Sequence, residues 1–287
     1  MLSDVLALCY HAVSEDWPDA MSVHPDRLER QMSRLLERGY VATTFTRAVT
    51  EPPAPRTLAV TFDDACRSVV ERGLPILDRL GIPATLFVPT DYVGAREPMD
   101  WPELAQWLST DHRSELLPVD WDDIRALHGA GWEIGSHTCS HPHLPELEAQ
   151  RLAEELSRSR AEIERRLGVR CTSLAYPFGE CDSRVAAAAR AAGYRTAAAL
   201  LPSRIGRPRA LMWPRVMVGY GDSDARFARQ VHPATRAAQS WRVWPLVERA
   251  VPAVKRFRLI GAPPVAAPPL SGDGPAPAAR SLSKGRT

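Results

Sequence analysis

The sequence has no CxxC pair and no ladder of evenly spaced cysteines; Cys9, Cys66, Cys139, Cys171 and Cys181 are scattered. An odd number of thiols without a framework argues against a disulfide-stapled domain and for reduced cysteines. No apolar run is long enough to cross a bilayer. Met1-Leu-Ser-Asp4 carries no basic n-region and polar residues follow closely, so no export signal is read and a cytoplasmic location is expected. Nor does one charge dominate: 36 Lys and Arg against 34 Asp and Glu leave +2. That balance hides an asymmetry. Residues 236–287 hold nine Lys/Arg and two Asp/Glu, or +7, so residues 1–235 carry 2 − 7 = −5. A mildly acidic body argues against a nucleic-acid partner, whereas the basic end suits an acidic polymer or anionic lipid at the inner face of a membrane. What is present, 45% hydrophobic and 24% charged residues, is ordinary for a globular chain that buries a sizeable core.

The chain is organised around Leu58-Ala-Val-Thr-Phe-Asp-Asp64. Residues 58–62 read as a buried strand that delivers two adjacent carboxylates, Asp63 and Asp64. Neighbouring residues at a strand end point in different directions, so one carboxylate can hold a cation while the other takes a proton. An isolated Asp pair is ordinarily a loop start or a helix cap. Here it has company, because Gly135-Ser-His-Thr-Cys-Ser-His141 places His137 and His141 four residues apart after another apolar run. One Asp and two His form a common three-ligand set for Zn²⁺ or a similar divalent ion. Cys139, inside the His pair, is expected to face away.

In chain order, residues 5–9 suit a central strand that delivers Tyr10 and His11. Residues 22–39 carry a helical stripe of Leu28, Met32, Leu35 and Leu36, closed by Gly39. Residues 40–45 predict a short strand, and residues 66–80 a helix that Pro75 kinks or restarts. Residues 84–88 are another strand. Residues 91–120, with Trp101 and Trp107, predict a helical insertion over the site. A helix over 121–130 capped by Asp120 leads to a strand over 132–135. Residues 147–167 form a long helix whose Glu and Arg read mostly as a solvated face. Strands over 173–176, 195–200 and 211–218 follow, with an Ala-rich helix over 184–192. Strand and helix alternate about seven times, which predicts parallel strands with helical crossovers. His11, Asp63/Asp64, His137/His141 and Tyr176 to Gly179 all fall at strand exits. A closed barrel gathers such exits around one axis better than an open sheet does. Three regions are expected: a barrel over 1–235, a basic amphipathic helical segment over 236–260 whose residues 241–260 could touch an anionic membrane, and a Pro/Ala-rich disordered tail over 261–287.

These motifs together resemble the polysaccharide deacetylase family, the NodB-homology domain of carbohydrate esterase family 4. Thr61-Phe-Asp-Asp64 is similar to its first motif, His137-Thr-Cys-Ser-His141 to its second and Tyr176-Pro-Phe-Gly179 to its third, with Trp213-Pro-Arg215 where the fourth belongs. The opening Leu8-Cys-Tyr-His-Ala-Val13 resembles a branch with a Tyr-His motif that includes poly-N-acetylglucosamine deacetylases. The resemblance covers roughly residues 1–220. It implies a distorted (β/α) barrel and metal-dependent removal of acetyl from N-acetylated amino sugars of a polysaccharide, oligosaccharide or glycan precursor. By position it assigns Asp64, His137 and His141 to the metal, with Zn²⁺ favoured over Co²⁺ or Ni²⁺. It makes Asp63 the general base and Phe178 an oxyanion donor through its N–H, with Tyr176 and Trp213 beside the substrate. Three departures stand out. Ala65 replaces a usual Gly and is expected to matter little. Ala175 stands where an Arg is usual, and the Pro-Arg pattern of the Tyr-His branch that the chain resembles implies that Arg215 orients Asp63 instead. A Leu-x-His motif is missing near the barrel's end, and the resemblance to that branch, whose opening motif supplies the acid, implies His11 as the general acid. Alternatives are a hydrolase of another linear non-peptide amide, and a catalytically silent carbohydrate-binding module, which the retained Asp63 argues against.

Overall fold

The computed structural model describes residues 4–200 and 209–239. Its strands are β1 (Asp4–Tyr10), β2 (Ala12–Val13), β3 (Ser22–Val23), β4 (Val41–Thr43), β5 (Arg56–Phe62), β6 (Ala84–Val88), β7 (Glu133–Ser136), β8 (Ser173–Ala175), β9 (Thr196–Leu200) and β10 (Trp213–Met217). All pairings between them are parallel. They run β1-β10-β9-β8-β7-β6-β5, and β5 pairs again with β1 over its whole length, Asp4 opposite Arg56 to Tyr10 opposite Phe62. Seven strands therefore close into the expected barrel. β4 lies outside the ring: it takes the first half of one edge of β5 (Thr57 to Ala59) and β6 takes the second half (Val60 to Phe62). β2 and β3 form a separate small pair.

The helices are α1 (Pro25–Glu37), α2 (Phe45–Thr50), α3 (Leu74–Arg79), α4 (Trp121–Gly129), α5 (Ala149–Leu167), α6 (Ser183–Ala191), α7 (Asp224–Gln230) and α8 (Pro233–Gln239). Their ends follow local chemistry. Gly39 and Gly168 stop α1 and α5 with φ of 80° and 69°, a backbone glycine adopts without cost. Asp120 and Asp123 cap α4 reciprocally. The helix expected over 66–80, kinked or restarted by Pro75, is a π-helical turn, Val69–Gly73, followed by α3. Pro75 sits in the first turn of α3, where its missing N–H is tolerated, and the wide turn before it absorbs the broken ladder. The strand expected over 40–45 ends at Thr43, and Phe45 begins α2, a helix too short to show a period in the sequence. Residues 91–120 contain two 3₁₀ turns, Pro102–Trp107 and Asp111–Leu116.

Alternation along the strands separates two cores. Leu6, Leu8 and Tyr10 of β1, Leu58, Val60 and Phe62 of β5, and Leu86 and Val88 of β6 face outward and pack under the helices. Ala7, Ala59, Phe87, Ala175 and Ala198 face inward, where Phe45 and Ala48 of α2 close the lower end. Small alanines leave room for that plug and for the polar side chains above it. At the same lower end Arg236 of α8 bonds Asp4 and the Val5 carbonyl. The basic segment over 236–260 lies outside the described residues from 240 onward, as does the tail over 261–287. Among the described residues no helix is long and apolar enough to cross a membrane.

Candidate active site

The inward register that lines the barrel with alanine also builds the site. Two residues above Ala59 is Thr61, and two above that is Asp63. Ala7 leads likewise to Cys9 and His11, and Trp213 to Arg215. Strand exits thus carry these side chains to one mouth. Arg215, with no exposed surface, donates from Nη1 to Asp63 Oδ1 at 2.7 Å and from Nη2 to Oδ2 at 2.6 Å. The same Nη1 donates to Thr61 Oγ1 at 2.7 Å, and Thr61 donates to the Leu8 carbonyl at 2.7 Å. The Phe87 ring lies beneath the guanidinium at 5.4 Å. Burial pushes the Asp63 carboxyl up, but Arg215, helped by His137, outweighs it and holds the group well below the usual carboxylate range. Asp63 is thereby kept ionised and fixed in orientation.

Asp64 turns the other way, toward the two histidines. His137 Nε2 lies 3.3 Å and His141 Nε2 3.4 Å from Asp64 Oδ1, all three side chains being buried. His137 Nδ1 lies 2.8 Å from the Ala175 carbonyl. A carbonyl can only accept, so Nδ1 carries a proton, and in the neutral ring that a metal requires Nε2 presents a lone pair. That lone pair faces a carboxylate oxygen. Both Asp64 oxygens and His141 Nδ1 are buried without a hydrogen-bond partner. Acceptors facing acceptors in a dry site call for a cation. With metal–donor bonds of about 2.0–2.2 Å and tetrahedral angles, donor atoms sit roughly 3.3–3.5 Å apart, matching these separations. The residues fit a zinc-like ion. Burial pushes His141 down to about 3, favouring the neutral ligand form, whereas the two carboxylates outweigh burial at His137 and push it up.

Backbone strain gathers around these groups. Among the described residues, the non-glycine positions with positive φ are Asp64, Ala65, Thr138, His141 and Phe178, and all lie in the three loops of the site. Each left-handed residue costs about 1–2 kcal/mol. Ala65, at φ 56°, is therefore not the neutral replacement expected: it adds strain that glycine would avoid. Phe178, at φ 59°, leaves its N–H without a protein partner among the described residues. Next to it, Gly179 at φ 70° approaches Leu200 so closely that a Cβ would lie 2.8 Å from the Leu200 nitrogen.

Several supporting residues were not anticipated. Glu155 of α5 is buried, not part of a solvated face. Its Oε2 accepts the N–H groups of Cys139 and Ser140 at 2.9 and 3.0 Å, and its Oε1 accepts the Ser140 hydroxyl at 2.7 Å, which pins the loop bearing His141. Its place on the stripe of Leu152, Leu156, Ser159 and Ile163 was the available signal. Trp101, from the 91–120 insertion, stacks on the His141 ring at 4.1 Å. His143 stacks on Phe178 at 3.9 Å and bonds Glu180 and Glu103, tying that insertion to the third motif. Cys139 points its thiol at the Glu155 carbonyl, away from the triad.

Two of the expected substrate-facing residues lie elsewhere. The Tyr176 hydroxyl donates to the Leu211 carbonyl at 2.8 Å, and its ring belongs to the outer core. Trp213 packs on the lower inner core beside Phe87 and Ala198, one inward step below Arg215. Neither makes a hydrogen bond or ring contact with the triad. His11 does reach the mouth: one of its ring nitrogens lies within 4.8 Å of Cys9 Sγ and an Asp63 oxygen. His232 is exposed and caps α8 through the Ala234 N–H.

Known proteins resemble this chain in sequence and fold. The family model described as polysaccharide deacetylase matches residues 50–197. YxkH of Bacillus subtilis (strain 168), named as a candidate polysaccharide deacetylase, is 24% identical over 230 residues, spanning 78% of this chain and 75% of its own. Among solved structures, BC0361, a polysaccharide deacetylase from Bacillus cereus, superposes with a TM-score of 0.65 at 24% identity, over 80% of this chain and 69% of that one. IcaB from Ammonifex degensii superposes with a TM-score of 0.62 at 22% identity, over 83% and 97%. At these identities the superpositions establish the fold. The matched segment runs from just before β5 into β9 and takes in Asp63, Asp64, His137, His141 and the Tyr176 to Gly179 turn, so this chain belongs to the polysaccharide deacetylase family and is a hydrolase of that family.

Proposed function

We propose that the protein is a metal-dependent N-deacetylase acting on N-acetylated amino sugars of a polysaccharide, oligosaccharide or glycan precursor. The observation that carries this reading is a pair of adjacent carboxylates with opposite fates. Asp64 has two unpartnered oxygens facing two imidazoles, and Asp63 is clamped ionised by Arg215. Asp64, His137 and His141 would hold a divalent cation, zinc first and cobalt or nickel next, which when bound supplies Lewis-acid polarisation of an acetamide carbonyl and a more acidic water. Asp63 is placed to take the proton of the attacking water. The free Phe178 N–H is a donor available to the developing oxyanion. His11, with a ring nitrogen within 4.8 Å of an Asp63 oxygen, is the candidate to protonate the leaving amine.

The test is acetate release by purified protein loaded with Zn²⁺, Co²⁺ or Ni²⁺. Substrates are N-acetylglucosamine oligomers, run beside a panel of other acetylated amides. Acetate from the amino sugars, lost in Asp63→Asn with metal still bound, supports the reading. Turnover confined to non-sugar amides, or none with the metal site filled, overturns it.

A further inference from the structure

Beside the Asp64 triad lies a second group of donors. Cys9 Sγ, a ring nitrogen of His11 and an oxygen of Asp63 all lie within 4.8 Å of one another, and all three residues are buried. Cys9 and His11 are two residues apart along the inner face at the end of β1. The Cys9 thiol donates to Asp63 Oδ2 at 3.4 Å. His11 Nδ1 is buried with no partner. Thiol, imidazole and carboxylate are the donors that thiophilic divalent ions take, and hard ions such as Mg²⁺ do not.

We propose that Cys9, His11 and Asp63 form a second, weaker site for a thiophilic divalent cation (Zn²⁺, Cd²⁺ or Co²⁺), and that filling it silences the enzyme. In binding, the S–H bond of Cys9 breaks, its proton leaves to solvent and a sulfur–metal bond forms. The site therefore gains one net positive charge and not two. Arg215, 2.6 Å from Asp63 Oδ2, makes even that gain unfavourable, which sets this site below the triad in affinity. Occupation removes both Asp63 and His11 from proton transfer. The silencing half rests on the deacetylase reading; the binding half does not.

Metal-stripped full-length protein is titrated with Co²⁺ and followed by absorption, then with Zn²⁺ in the acetate assay. The first equivalent should show no thiolate-to-cobalt charge-transfer band, because the triad lacks sulfur. The second should bring that band, and Mg²⁺ should not compete for it. Cys9→Ser should lose both the band and the second equivalent. His11→Ala should weaken the second equivalent and leave the first unchanged. Acetate release should fall by an order of magnitude or more as Zn²⁺ fills the second site, and Cys9→Ser should escape that fall. Binding of a single equivalent, or a band that persists in Cys9→Ser, overturns the proposal. A band that behaves as described in a protein without turnover on any amide upholds the site and counts against the deacetylase reading alone.

Discussion

Replacing Arg215 by Met keeps much of the volume and removes the charge. The guanidinium makes three short hydrogen bonds, two to Asp63 and one to Thr61, and has no exposed surface. Deleting one partner of such a buried pair leaves the other charge uncompensated and costs about 3–5 kcal/mol. For a domain of this size that lowers Tm by roughly 6–20 °C. The loss should depend on pH. In the native protein Asp63 has a depressed pKa, so the stability it contributes is present above the ordinary carboxylate range and is lost only as pH falls through the lower folded value. Without Arg215 the largest opposing influence is gone, and burial, countered only by His137 and His11, raises that pKa from its native value. Protonation of Asp63 then costs the variant less than it costs the native protein. The gap between native and Arg215→Met should narrow as pH is lowered from neutral toward the carboxylate range. The acid limb of the rate profile should move to higher pH, since the base is now protonated sooner. Asp63→Asn combined with Arg215→Met should melt higher than Arg215→Met alone. Melts by calorimetry across pH, with acetate release for the rate limb, check all of this. A Tm loss of less than about 2 °C, or a loss independent of pH, would refute the argument that Arg215 is what keeps Asp63 ionised.

Chelation should lower Tm, and Zn²⁺ at a hundred times its Kd should restore about 2.7 kcal/mol, an increment that Asp64→Asn abolishes; because the ligands must be deprotonated, the increment should shrink at acid pH. Glu155→Ala leaves the Cys139 and Ser140 N–H groups unpaired and should cost roughly 2–4 kcal/mol, with metal affinity at the triad falling about 10–100-fold by calorimetric titration. Gly179→Ala combines a left-handed backbone with a Cβ 2.6 Å from Leu200 Cβ and should destabilise by about 2–5 kcal/mol in urea melts, whereas Gly39→Ala, with open space around it, should cost only the conformational part, about 1–2 kcal/mol.

The barrel was legible because its signals repeat: an apolar run, an exit carrying a functional residue, then a stripe or a glycine stop. The mouth was legible because first- and second-motif residues sit at such exits, and alternation then fixes what stands beneath them. Carried two residues back from Asp63 and His11, that rule also reaches Thr61 and Cys9, which the motifs alone do not mark. Three things resisted for physical reasons. α2 is a helix of under two turns whose role, plugging the ring, comes from tertiary packing and not from its own periodicity. Glu155 shares an acidic composition with its exposed neighbours and differs only in phase. Trp213 lies next to Pro214 and Arg215 in the chain, but a strand sends each inward residue one layer below the next, so only Arg215 reaches Asp63.

The α2 plug has a further consequence for traffic. Among the described residues, Phe45 and Ala48 fill the lower end of the ring and leave no rear exit through its axis. Acetate and the sugar amine would have to depart through the same doorway by which the amide came in. On the deacetylase reading, a long glycan would lie across the doorway and would not be threaded through it.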